Sequence, residues 1–91
     1  MSMRLIEYGT TFKRDYRRIE RRNLRVQKLH DVVRLLACDE PLPARMRPHR
    51  LSGVWDGFLE CHIEPDWLLV YDLGMGVLTL HRTGSHSDLF E

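Results

Sequence analysis

Two short segments concentrate the reactive side chains of this chain: Glu60-Cys61-His62-Ile63-Glu64-Pro65-Asp66-Trp67, and His81-Arg82-Thr83-Gly84-Ser85-His86-Ser87-Asp88-Leu89-Phe90 near the C-terminus. Histidine, with an ordinary pKa of ~6.5, both takes and gives a proton near neutrality. His62 falls in a strand-like stretch, His86 lies beyond the last strand, and His49 sits upstream in a basic loop. With Asp66 and Arg82 they supply bases, acids and a fixed cation. That set suits phosphodiester cleavage without a metal or other cofactor. One group removes a 2′-hydroxyl proton, another protonates the leaving 5′-oxygen, and a guanidinium stabilises the charged phosphorane.

Competing chemistries fit less well. His62, Asp66 and His86 could offer nitrogen and oxygen to a metal, but no HxxxH spacing or Cys pair supports them, and the arginines nearby oppose a cation. Cys61 falls on an apolar strand face and reads as a small core residue. No GxGxxG or GxxxxGK[ST] phosphate loop is present. Trp67 and Phe90 could each stack on an unpaired base. Trp67 also opens an apolar strand and is equally suited to the core, whereas Trp55 is expected to pack.

The 91 residues make one domain, 1–91, and 43% hydrophobic content suits a globular protein. No apolar run approaches the ~20 residues of a membrane span. Met1-Ser2-Met3-Arg4 leads straight into a strand-like pattern, so no secretory signal is read and a cytoplasmic protein is expected. The net charge of +1 hides an asymmetry: residues 1–54 carry 13 Lys or Arg against 6 Asp or Glu, and residues 55–91 carry 1 against 7. A basic half of this kind points to a polyanion or an acidic partner. Arg45, Arg47 and Arg50, flanking His49, are the candidates for holding RNA phosphates.

These side chains need a scaffold, and the pattern predicts an α+β fold. Residues 4–8 read as a strand closed by Gly9. Thr10 or Thr11 would cap a helix whose apolar stripe is Phe12, Tyr16 and Ile19, with Lys13, Arg14, Arg17, Arg18, Arg21 and Arg22 opposite. Asn23 interrupts, and a second helix from Leu24 to Ala37 ends before Pro41 and Pro43. A short strand is expected at 50–52, then strands at 58–64, 67–73 and 77–83 joined by Glu64-Pro65-Asp66 and Gly74-Met75-Gly76 turns. Two N-terminal helices would thus pack on a mainly antiparallel sheet, followed by a short C-terminal segment. Alternation puts Leu59, Cys61 and Ile63 on one face and Glu60, His62 and Glu64 on the other. By the same rule His81 and Arg82 should face opposite sides, which leaves His81 outside the site.

Leu51-Ser52-Gly53, the run from Glu60 to Leu69, and Arg82-Thr83-Gly84-Ser85-His86-Ser87-Asp88-Leu89-Phe90 strongly resemble the YafQ branch of the RelE-type toxin family. The similarity runs from about Phe12 to the end and includes the Glu40-Pro41-Leu42-Pro43 turn. It implies a ribosome-dependent mRNA endonuclease of a type II toxin–antitoxin system, silenced by a cognate antitoxin in a higher oligomer. It also implies that His49, His62, Asp66 and His86 form the acid/base set, assisted by Trp67, Arg82 and Phe90. The reading from a different class is a non-catalytic module whose basic helical face binds RNA or an acidic protein.

Overall fold

The computed structural model describes residues 3–90; Met1 and Ser2, part of the reading that no leader is present, and Glu91 lie outside it. The elements run β1 (Leu5–Tyr8), α1 (Thr10–Arg21), α2 (Val26–Ala37), β2 (His49–Arg50), β3 (Leu59–Glu64), β4 (Trp67–Gly74), β5 (Val77–Gly84) and α3 (His86–Phe90), with single 3₁₀ turns at Ala44–Met46 and Gly53–Trp55. The sheet order is β1-β5-β4-β3-β2. All neighbours are antiparallel except β1 and β5, which run parallel, as the long crossover between them, through both helices and the other strands, permits. The expected α+β architecture is present.

α1 begins one residue earlier than a threonine cap allows: its N-cap is Gly9, with no side-chain cap, and Thr10 is already helical. It stops where Asn23 adopts φ 59°, a left-handed conformation that asparagine tolerates better than most residues. α2 starts at Val26 rather than Leu24. The Pro41-Leu42-Pro43 run forbids its resumption, since proline supplies no amide hydrogen to an inner turn. β2 is only His49 and Arg50, one residue upstream of the expected short strand.

The two faces of the sheet are unequal. Cys61, Ile63, Trp67, Leu69, Tyr71, Leu78 and Leu80 pack against Phe12, Ile19, Leu29, Val32, Val33 and Leu36 of the helices. Each fully buried side chain of this size contributes ~1.5–3 kcal/mol. The opposite face has only a small cluster of Leu68, Val70 and Leu89, with Leu51, Trp55 and Phe58 beside it. β4 is central and buried on both sides, as its unbroken apolar run requires. Among the described residues no helix is long and apolar enough to cross a membrane.

Strict alternation fails at two points. The β3–β4 register shifts between His62 and Glu64, so Glu64 pairs with the core residue Trp67 and meets Lys28 of α2, contrary to the expectation that it shares the face of His62. The β4–β5 register shifts between Val70 and Tyr71, so Tyr71 pairs with Leu80 and Val70 with Arg82, leaving His81 as the extra residue. The bulge turns both His81 and Arg82 away from the helix-side core, contrary to the expectation that they face opposite sides. His81 meets Asp72 at 2.6 Å and Phe58 at 4.6 Å between rings. Arg82, opposite Val70, extends to the sheet edge beyond the end of β1, where it meets Asp15 of α1.

Candidate active site

The sheet face opposite α1 and α2 collects His49, His62, His81 and His86, and strand register explains why. His49 is paired directly with Glu60, Glu60 with Val70, and Val70 with Arg82, so these four positions form one row across β2, β3, β4 and β5. His62, paired with Leu68, occupies the next row. The His49 and His62 rings are 6.0 Å apart, and the His62 and His86 rings 5.9 Å.

Glu60 is the hub of the first pair. Only 4% exposed, it places Oε1 3.2 Å from His49 Nε2 and 3.7 Å from His62 Nε2. Its Oε2 is buried with no hydrogen-bond partner. A buried carboxylate in that condition is costly unless cations or protons face it. The opposite nitrogen of His49, Nδ1, lies 2.7 Å from the Arg47 carbonyl oxygen. A carbonyl only accepts, so Nδ1 carries a proton and Nε2 is the atom left to exchange one. Arg47 itself has φ 47°, an uncommon conformation for a residue with a side chain, and it is this turn that aims its carbonyl at His49.

His86 and Asp66 form the second pair. Asp66, in the β3–β4 turn, accepts on one oxygen, Oδ1, both the His86 amide at 2.9 Å and His86 Nδ1 at 2.7 Å. The backbone hydrogen bond, then the ring hydrogen bond, and last the imidazole charge lower the Asp66 pKa from its ordinary value. A carboxylate on Nδ1 fixes the tautomer and leaves Nε2 for a substrate, the same logic as in a hydrolase triad.

α3, which carries His86 and Phe90, is held in turn by a reciprocal cap and an arginine clamp. Ser85 Oγ accepts the Asp88 amide at 3.1 Å while Asp88 Oδ2 accepts the Ser85 amide at 2.9 Å. Arg22, from the end of α1, donates to both Asp88 oxygens at 2.6 and 3.1 Å. That guanidinium, above all, holds the Asp88 carboxyl well below the usual carboxylate range. Gly84, at φ 153°, makes the fold-back possible, because a Cβ there would stand 2.8 Å from Asp88 Oδ2.

A cleft of about 470 Å³ opens beside the histidines, lined by Lys28, Arg45, Arg47, His62, Ile63, Glu64, Pro65 and His86. Lys28 is ion-paired with Glu64 at 2.8 Å. The exposed Arg45 and Arg47 are thus the cations it presents. Arg50 is exposed on β2 opposite Leu59 and does not line this cleft.

The residues named from sequence therefore separate. His49, His62, Asp66 and His86 converge; Phe90 stands 6.5 Å from the His86 ring and 40% exposed. Arg82 shares their face, but its Nε and Nη2 donate to Asp15 at 2.7 and 3.2 Å. Asp15 is 1% exposed and also accepts the Thr83 amide. Trp67 is a correction: it is 2% exposed and donates Nε1–H to Thr83 Oγ1 at 3.0 Å, so its ring lies in the core and cannot stack on a base. Cys61 is core as expected, its thiol pushed up to about 12 by burial and then by the Glu60 charge. Sequence reasoning missed Glu60 as the shared carboxylate, although its place on the His62 face was the available signal. It also missed Lys28 and the Arg22–Asp88 clamp, which no local spacing announces.

Among the described residues, the triple that comes within metal-binding range is His49, Glu60 and His62, whose ligand atoms lie within 4.8 Å of one another. It is a different triple from the His62, Asp66 and His86 set weighed on sequence.

Comparison with known proteins identifies the family. Residues 4–91 match the family model described as the bacterial toxin of type II toxin–antitoxin system, YafQ. The chain belongs to the YafQ toxin family. It is 38% identical over 91 residues to the mRNA interferase toxin YafQ of Escherichia coli K12, covering 99% of each chain. The E. coli DinJ–YafQ toxin–antitoxin complex contains a YafQ-family chain of the same fold, with TM-score 0.90, 38% identity, and coverage of 98% of this chain and 99% of that one. A metal-bound toxin from Helicobacter pylori superposes with TM-score 0.91 and 38% identity, over 97% of this chain and 100% of that one.

Proposed function

We infer that this YafQ-family toxin is a metal-independent endoribonuclease that cuts messenger RNA on the ribosome and so blocks translation. The observation that carries the reading is the convergence of two carboxylate-held imidazole groups, His49–Glu60–His62 and Asp66–His86, beside a cleft edged with arginines. His49 Nε2 takes the 2′-hydroxyl proton, with Nδ1 held by the Arg47 carbonyl and the nearby Glu60 carboxylate stabilising the imidazolium that forms. The 2′-oxygen bonds to phosphorus as the bond from phosphorus to the 5′-oxygen breaks, and His86 Nε2 gives that oxygen its proton. The products are a 2′,3′-cyclic phosphate and a 5′-hydroxyl. His62, between the two, and Arg45 and Arg47 stabilise charge on the phosphoryl oxygens. Arg82, anchored by Asp15 through two nitrogens, offers Nη1. Each positioned acid or base contributes ~10²- to 10⁴-fold.

The partner for silencing is a cognate antitoxin, acting in the cytoplasm within a higher oligomer. A second cavity, about 400 Å³, between α1, α2 and β5 is lined by Phe12, Tyr16, Leu29 and Val33 and edged by Lys13 and Arg17, with one acidic residue, Glu20, beside them. An acidic, amphipathic antitoxin segment suits that lining. Alanine at His86 and at Asp66 relieves growth arrest while each variant still binds the antitoxin. Undiminished toxicity of both variants contradicts the assignment.

A further inference from the structure

The row of rings on the face opposite α1 and α2 does not stop at the histidines. From His86 it continues to Phe90 at 6.5 Å, from Phe90 to Trp55 at 5.8 Å, from Trp55 to Phe58 at 5.6 Å, and from Phe58 to His81 at 4.6 Å. With His49 and His62 at the other end, seven rings form an unbroken line across the face. One half can move protons. In the other half Phe90, Trp55 and Phe58 carry no ionisable group, and only His81, paired with Asp72, closes the line.

Packing accounts for part of this arrangement. Leu51, Leu68, Val70 and Leu89 lie in the same cluster as Trp55 and Phe58 and hold them in place. It does not account for the exposure that remains, because Phe90 is 40% exposed and Trp55 and Phe58 are only partly covered, on the face that no long helix shields. The edge-to-face angles, 66° for Trp55 with Phe58 and 82° for Trp55 with Phe90, fix the rings at steep angles to one another. The result is a partly exposed aromatic shelf that begins at α3.

We propose that Trp55 and Phe58, continuing from Phe90, form a base-stacking subsite that holds an unpaired nucleotide next to the scissile phosphate. The inference rests on the endonuclease reading, which sets a phosphate at the histidines. A single strand whose phosphate lies there must send a neighbouring base along the face, and the shelf is what adjoins α3. Stacking tolerates all four bases, so the subsite contributes affinity and alignment more than sequence choice.

The test compares wild type, Trp55→Leu and Trp55→Phe in a translating extract, mapping cut positions and measuring cutting against toxin concentration. Leucine keeps apolar contact with Leu51 and Leu89 but has no π-face; phenylalanine keeps one. Loss of one stacked base predicts a rise of about 5- to 150-fold in the concentration needed for half-maximal cutting by Trp55→Leu. Trp55→Phe recovers most of it, and both variants melt within a few degrees of wild type and bind antitoxin. A Trp55→Leu protein with wild-type concentration dependence and cut positions overturns the shelf. So does an equal loss in both variants that tracks lowered melting temperature, which marks Trp55 as packing alone. A wild type that leaves all message intact sinks the endonuclease reading itself, and the shelf with it.

Discussion

Asp66 Oδ1 receives both the backbone amide and the ring Nδ1 of His86, at 2.9 and 2.7 Å. One oxygen thus sets the start of α3 and the tautomer of its first side chain. Residues that act as a unit lose activity together, so their substitutions do not add. Asp66→Ala and His86→Ala each lower cutting by about 10²- to 10⁴-fold, and the double variant is expected to be no worse than the poorer single. Cleavage rates of the three variants on ribosome-bound message check this; losses that multiply show two independent groups.

Glu60 faces two imidazoles with one oxygen and no partner with the other. Glu60→Gln keeps the shape and removes the charge that orients His49. Cutting is expected to fall by about 10- to 100-fold, the usual effect of removing a residue that orients a functional imidazole. Folding should survive, since a buried carboxylate with an unpaired oxygen stabilises little. Thermal melting run beside the cleavage assay separates the two effects, and a variant as active as wild type removes Glu60 from the mechanism.

The imidazoles to which proton transfer is assigned also offer nitrogens that a transition metal would take. Because His49, Glu60 and His62 can converge on one ion, added zinc or copper is expected to inhibit cutting by occupying the lone pair His49 needs. A chelator selective for transition metals, which leaves the ribosome's magnesium in place, should not reduce the activity of the protein as purified and should reverse the inhibition. Loss of activity on such chelation would point to a metal-dependent reaction instead.

Asp88 links α3 to the end of α1 through Arg22, whose guanidinium lowers its pKa. A depressed carboxylate stabilises the fold above its unfolded pKa of ~3.9, and that contribution is lost as pH falls through the lower folded value. Asp88→Asn is therefore expected to melt lower than wild type at pH 7. The gap should close on acidification below about pH 4. Melting curves of both proteins from pH 7 downwards measure it; a gap that does not change with pH shows that the charge is not what holds α3.

The scaffold was legible where one local rule decided the outcome. The apolar stripe of α1, the prolines after α2 and the two-faced apolar run of β4 all behaved as their spacing demanded. Alternation on β3 separated Cys61 from Glu60 and His62. It failed for Glu64 at the end of β3 and again on β5, because a register shift follows from pairing between strands and leaves no trace in local sequence. Trp67 shows the second limit: an aromatic directly after Asp66 suits a base or a core equally, and only the Thr83 hydroxyl 16 positions away decides it. Glu60 shows the third. Its residue type and face were visible, but its role depends on the cross-strand partner His49, brought opposite by a β2 of just two residues.

The ends left on a cut message test the mechanism most directly. Message treated with the toxin during translation can be mapped and its new termini typed by their reactivity to phosphatase, kinase and cyclic-phosphate-dependent ligase. Attack by the 2′-hydroxyl, driven by His49 and completed by His86, predicts a 2′,3′-cyclic phosphate upstream and a 5′-hydroxyl downstream. A 5′-phosphate with a 3′-hydroxyl, the signature of attack by water with the 3′-oxygen leaving, contradicts it.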